Sequence, residues 1–137
     1  VKILYISPHL STGGLPQYLL KKIETLNLLF EIYCVECKFL GNAYVVQRNR
    51  IVDLLGDRFY SMAGSEDSYL LKIIEDVSPD VIHFEEFPET FLDQSVCGKI
   101  YSKNRKYLIF ETGHGIYFDA NNKKFIPDKF IFVSEYQ

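Results

Sequence analysis

Six short apolar runs recur along the chain: "VKILYIS" (1–7), "EIYCVECKF" (31–39), "RFYSM" (58–62), "DVIHF" (80–84), "KYLIFE" (106–111) and "DKFIFVS" (128–134). Most are too evenly apolar for strands with one wet face, which marks them as strands of a sheet buried on both sides. Between them lie stretches with helical spacing. Leu15, Leu19, Ile23, Leu26 and Phe30 form one stripe; Val45, Ile51, Val52 and Leu55 keep the period only in part; Leu70, Ile73, Ile74 and Val77 form a third and Phe91, Leu92, Val96 and Ile100 a fourth. Strand and helix alternate throughout, which predicts a doubly wound α/β domain: a parallel sheet with helices on both faces.

Local signals place the helix ends. Pro16 suits a first helical turn, where no N–H partner is needed. Ser65 is expected to cap the third helix, with Glu66 and Asp67 in its first turn, and Ser78 and Pro79 to end it. Pro88 is expected to open the fourth.

A chain of 137 residues, 47% apolar and 24% charged, fits one soluble globular domain spanning residues 1–137. The net charge of −3 argues against a surface that holds nucleic acid through many phosphates. No apolar run approaches the roughly 18 residues of a membrane span, and no charged start with an apolar h-region marks a signal peptide. A cytoplasmic protein with at most peripheral membrane contact is expected. The chain opens at Val1 inside one apolar run and closes just after another, so a piece of a longer chain is expected too.

Cys34 and Cys37 make a C-x-x-C within a strand pattern, where positions three apart point to opposite faces. With Cys97 as the sole further cysteine, structural cysteines are the expectation, and no metal site.

In open α/β sheets ligands bind beyond the carboxyl ends of the strands, near the reversal of strand order. Ser7, His9, Gly13 and Gly14 follow the first strand; Glu85, Glu86 and Glu89 the fourth; Thr112, Gly113, His114 and Gly115 the fifth; Ser134 and Glu135 the sixth. Gly13 and Gly14 permit close approach of a ligand to backbone at a helix start, where a phosphate could bind, although a tight turn explains them equally well. The loop is neither G-x-G-x-x-G nor a P-loop. His114 between two glycines suits a hydroxyl partner or proton carrier, or is a loop histidine. His83, inside an apolar strand, reads as a satisfied core histidine, and His9 fits either role. Glu85, Glu86 and Glu89 could bind sugar hydroxyls or a metal, with Glu89 better explained by the helical turn after Pro88. Lys99, Lys103, Arg105 and Lys106 sit at the opposite edge and read as helix-end and solvated charges.

Four stretches in order, "KILYISPHLSTGGLPQYLLKKIETL", "PDVIHFEE", "ETGHG" and "DKFIFVSEYQ", resemble the N-terminal domain of retaining family-4 glycosyltransferases of the two-domain GT-B fold. The resemblance implies a Rossmann-like half of that fold, and transfer of a sugar from a nucleoside-diphosphate sugar to a glycan, lipid or small-molecule acceptor with configuration kept and no metal or other cofactor. It maps the donor phosphate onto Gly13 and Gly14, the catalytic histidine onto His114, and acceptor contacts onto Glu85 and Glu86. His9 and Thr112, at the same strand ends, join them as acceptor candidates.

The family's E-x7-E motif belongs to a C-terminal donor-binding domain, and no two glutamates of this chain have that spacing. The domain is therefore expected to need its C-terminal partner and to be inactive alone, since a single domain supplies no closed cleft. Two alternatives stand beside this reading: a stand-alone ligand-binding or regulatory domain of the same fold, and half of a nucleotide-sugar epimerase.

Overall fold

A computed structural model describes residues 1–11, 13–40, 46–115 and 119–133. Strands and helices alternate as β1 (Lys2–Ser7), α1 (Gly14–Leu26), β2 (Glu31–Glu36), α2 (Val46–Leu55), β3 (Phe59–Ser61), α3 (Tyr69–Val77), β4 (Val81–Glu85), α4 (Gln94–Ile100), β5 (Leu108–Gly113) and β6 (Lys129–Phe132). Every strand pair is parallel and the order is β3-β2-β1-β4-β5-β6, so the chain reverses direction across the sheet between β1 and β4. This is the Rossmann-like doubly wound arrangement that the alternation implies. Ser134 and Glu135 lie outside the described residues, as does Val45.

Alternate strand residues feed two cores. Tyr5, Ile32 and Cys34 pack with Leu19, Leu20, Ile23, Ile51 and Leu55 under α1 and α2. Leu4, Ile6, Val35, Ile82, Phe84 and Ile109 pack on the other face under α3 and α4. Cys34 and Cys37 fall in opposite cores, as strand period requires, and Cys97 joins the second; all three are buried free thiols.

Three boundaries differ from those expected. The first helix stops at Leu26 because the N–H groups of Leu29 and Phe30 both turn back to its carbonyl, after which Glu31 pairs with Val1. Ser65 caps nothing: α3 begins at Tyr69 after Ser68, and Asp67 instead accepts the Asp93 N–H at 2.8 Å. Pro88 opens only a 3-10 turn, Pro88–Thr90, and α4 starts at Gln94 because Asp93 is extended (φ −60°, ψ 140°). Leu92 and Phe91 still reach the core, from a loop instead of a helix face.

Candidate functional site

The reversal point sets β1, β4 and β5 side by side with their carboxyl ends aligned. In register, Tyr5 faces His83 across one pair and Glu85 faces Thr112 across the next, all on the α1 side of the sheet. From above, α1 lays down Tyr18 and Lys22, one turn apart and so on one helix face. Lys22 Nζ donates to Glu85 Oε1 at 2.5 Å and lies 3.5 Å from both His83 Nε2 and Thr112 Oγ1. Its ammonium also sits 4.5 Å from the centre of the Tyr18 ring. His114, just past β5, brings Nε2 within 2.8 Å of Glu85 Oε2, and its ring meets Tyr18 edge-on at 5.1 Å.

Of the residues expected at the site, Glu85, Thr112 and His114 are thus joined directly, with Glu86 beside them. His83, expected as a satisfied core histidine, is buried and satisfied, with Thr112 Oγ1 2.7 Å from Nε2, but its partners are the site's own. His9 keeps to its own loop: its carbonyl accepts the Ser7 hydroxyl at 2.7 Å and its Nδ1 lies 3.2 Å from Ser11 Oγ. Lys22 joins the site although nothing at a strand end marks it. A signal for it exists, because Lys22 falls three residues after Leu19 and four before Leu26, inside the apolar stripe of α1, where a lysine needs a buried partner.

The electrostatics follow from burial. Glu85 is 0% exposed, which by itself would raise its pKa; the hydrogen bond from His114 and the charge of Lys22 outweigh that and hold the carboxyl below its ordinary value. Burial draws Lys22 down from its ordinary value while Glu85 opposes it, and at 2.5 Å the two form an ion pair. Burial, and then the Lys22 charge, push His83 down to about 4, so that imidazole is neutral at pH 7. An ionised Glu85 can only accept, so the proton between it and His114 belongs to Nε2. Nδ1 is then the ring atom that carries the lone pair in the neutral tautomer.

Glu86 and Gly113 aim that ring. Glu86 adopts φ 119°, a costly conformation for a side chain with Cβ, and its Oε2 accepts the His114 N–H at 3.2 Å. A methyl group on Gly113 would stand 2.9 Å from Phe87 Cζ, so glycine lets the strand end pass this ring.

The glycine loop lies one helical turn away. Gly13 precedes α1 with φ 110°, and among the described residues no side chain caps the helix and no acid stands in its first turn. Open space surrounds the positions where Cβ atoms would stand on Gly13 and Gly14. Tyr18, four residues on from Gly14, touches His114, so the exposed helix start and the histidine share one edge.

Two other buried carboxylates are structural. Glu36, at the end of β2, is gripped by Arg48 at 2.8 Å and accepts the Ser61 hydroxyl at 2.8 Å. Glu111 accepts the Tyr101 hydroxyl, and Lys123 bridges it to Glu89, whose carboxylate also takes the N–H groups of Lys124 and Phe125. Glu89 stands in the first turn after Pro88, as expected, and also ties down the segment before β6. Among the described residues, no group of three or more histidine, cysteine or acidic side chains is placed to hold a metal ion, and no helix is long and apolar enough to cross a membrane.

No protein-family model matches the chain, and no curated protein matches it in sequence. Solved structures do. The dTDP-glucose 4,6-dehydratase of Bacillus anthracis str. Ames, solved in complex with NAD, is similar over 99% of this chain and 46% of its own, at 12% identity and a TM-score of 0.54. The lysine decarboxylase LdcF of Francisella novicida is similar over 97% of this chain and 15% of its own, at 14% identity and a TM-score of 0.49. The chain spans less than half of either enzyme's length. At these identities, the likeness to the dehydratase shows the Rossmann-like fold alone.

Proposed function

We propose that this domain is the acceptor-side half of a retaining glycosyltransferase, which moves a sugar from a nucleoside-diphosphate sugar to an acceptor hydroxyl. The observation that carries the reading is the buried Lys22–Glu85–His114 chain, which ends in an imidazole against Tyr18, the residue one helical turn on from the start of α1. Glu85 fixes the His114 ring, and Lys22 keeps Glu85 ionised. His114 Nδ1 then accepts a hydrogen bond from a hydroxyl of the sugar or the acceptor, the arrangement of an oriented imidazole in acid–base chemistry. The helix start at Gly13 and Gly14 would meet the donor phosphates through its N–H groups. A second domain would hold the nucleotide and shut out water.

Glu86 and Thr112 are assigned to the acceptor side, Thr112 through His83 and Glu86 through the His114 backbone. His9 is the weakest of the proposed contacts, since its hydrogen bonds among the described residues stay in its loop. A dinucleotide-dependent reading, such as the bound NAD of the dehydratase suggests, is disfavoured by Glu36. In that mode the acid at the end of the second strand takes ribose hydroxyls, and here Arg48 and Ser61 already hold it.

The test is release of the nucleoside diphosphate by the protein purified from its natural source, across a panel of nucleotide sugars and acceptor alcohols. His114→Ala should lower turnover by about 100-fold or more. Undiminished turnover would remove His114 from the chemistry, and release from none of the donors would remove the transferase reading.

A further inference from the structure

Two non-glycine residues among those described carry a positive φ, and they differ in kind. Ser78 (φ 50°, ψ 61°) ends α3 in the left-handed turn that closes many helices. Glu86, at φ 119°, lies outside that well, in backbone that glycine enters freely and a residue with Cβ enters only at a cost. Its neighbours explain why the turn falls there. Glu85 still pairs with Thr112 in the sheet, so β4 cannot bend earlier. Phe87 precedes the buried Pro88, which confines it to extended backbone, and it sits at φ −69° and ψ 122°. The whole change of direction is left to Glu86.

The turn brings together two carboxylates that a strand would separate. Consecutive strand side chains point to opposite faces, and Glu85 points to the α1 side, where it meets Lys22. An extended Glu86 would point to the side of α3 and α4. Instead both acids reach His114: Glu85 Oε2 lies 2.8 Å from ring Nε2, and Glu86 Oε2 accepts the backbone N–H at 3.2 Å. The other oxygen of Glu86 accepts the Phe87 N–H at 3.1 Å, which ties the acid to the bend it makes. The Phe87 ring then abuts Gly113, where a methyl group would stand 2.9 Å from Cζ. Glu86 and Phe87 thus press on His114 and Gly113 as a pair.

We propose that Glu86 is a positioning residue, whose strained backbone persists because that turn lets two consecutive carboxylates fix His114, one by its ring and one by its main chain. The hold on His114 is a matter of geometry; its bearing on turnover rests on the transferase reading above. Glu86→Gly removes the strain and the grip together, so stability and positioning should part company at this position.

The experiment compares Glu86→Gly, Glu86→Ala and Glu86→Gln in the 15N-labelled protein. Glycine and alanine both lack the carboxylate, and alanine alone keeps a Cβ at φ 119°, so Glu86→Gly should melt about 3 °C or more above Glu86→Ala. That order reverses the usual one, in which glycine is the less stable of the two. In the parent at pH 8, the ring 15N resonances of His114 should report one tautomer, with the proton on Nε2. Glu86→Gly and Glu86→Ala should both give a mixture of tautomers and exchange the His114 amide on the order of 10-fold faster, the loss of one hydrogen bond. Glu86→Gln keeps one carbonyl oxygen for the His114 N–H and should recover most of the protection and the single tautomer. Glu86→Gly with the parent's tautomer and amide protection would reduce Glu86 to a turn residue and overturn the proposal. So would Glu86→Gly melting at or below Glu86→Ala, because no strain would then be held at the turn. The two readings fail separately. If the ring responds but no nucleotide sugar is turned over, the transferase falls and the positioning stands. If His114→Ala stops transfer while Glu86→Gly changes neither ring nor rate, the positioning falls and the transferase stands.

Discussion

His114 Nε2 lies 2.8 Å from Glu85 Oε2, although the two residues stand 29 positions apart and reach each other only because β4 and β5 end side by side. The other oxygen of that carboxylate belongs to Lys22, so one buried acid holds two groups that no local pattern connects.

Removing the acid should therefore cost more than a surface pair would. Glu85→Ala strands the Lys22 ammonium against apolar and aromatic walls, and a loss of about 3 kcal/mol is expected for breaking a buried pair on one side. The urea midpoint should fall with an unchanged slope. Adding Lys22→Met should recover part of the loss, because the two substitutions share one interaction.

Glu111 should make the protein less stable as pH rises. Burial pushes its pKa up to about 7, against the opposing hydrogen bonds of Tyr101 and Lys123. Its Oε1 is 2.9 Å from Lys123 Nζ yet makes no aligned hydrogen bond, which leaves the ionised form poorly compensated. A raised folded-state pKa means stability that is present below the unfolded value and lost as pH climbs through about 7. Glu111→Gln should match the parent at pH 4 and exceed it at pH 8 by roughly 2 kcal/mol, measured by denaturant midpoints at both pH values.

His83 should behave oppositely. Its pKa of about 4 lies below that of a free imidazole, so its contribution is present above the unfolded value and lost as pH falls through about 4. Its ring 15N resonances should keep the neutral-form positions at pH 5.5, and a cationic spectrum at that pH would contradict the burial argument.

Two glycines should fail for different reasons. Gly113→Ala drives a methyl group to 2.9 Å from Phe87 Cζ, so that ring must move, at a cost of about 1–2 kcal/mol and with a shift of the His114 amide. Gly13→Ala meets no atom but forces φ 110° on a residue with Cβ, a cost of about 1–2 kcal/mol. Thermal midpoints should fall for both, and only the first should alter the Phe87 ring resonances.

Local pattern carried the fold a long way. Short, evenly apolar runs located the six strands and period-3.6 stripes the four helices, since a strand buried on both faces and a helix buried on one each write that need into the sequence. The ends were less legible. Ser65 and Pro88 have the right chemistry for helix starts, yet Asp67 bonds to Asp93, and an extended Asp93 delays α4; a competing partner distant in the chain leaves no mark in a short window.

The candidate site divides the same way. The alternation of elements sufficed to place Gly13, Glu85, Thr112 and His114 at strand ends on one edge, because parallel strands bring all their carboxyl ends to one side. Only the tertiary structure decided that Lys22 reaches across 63 residues to Glu85, that His83 serves the site as well as the core, and that His9 stays apart. Those outcomes depend on the strand order β2-β1-β4-β5 and on which helix covers β1. Such choices are made by packing whole faces together, after each segment's own periodicity has been satisfied.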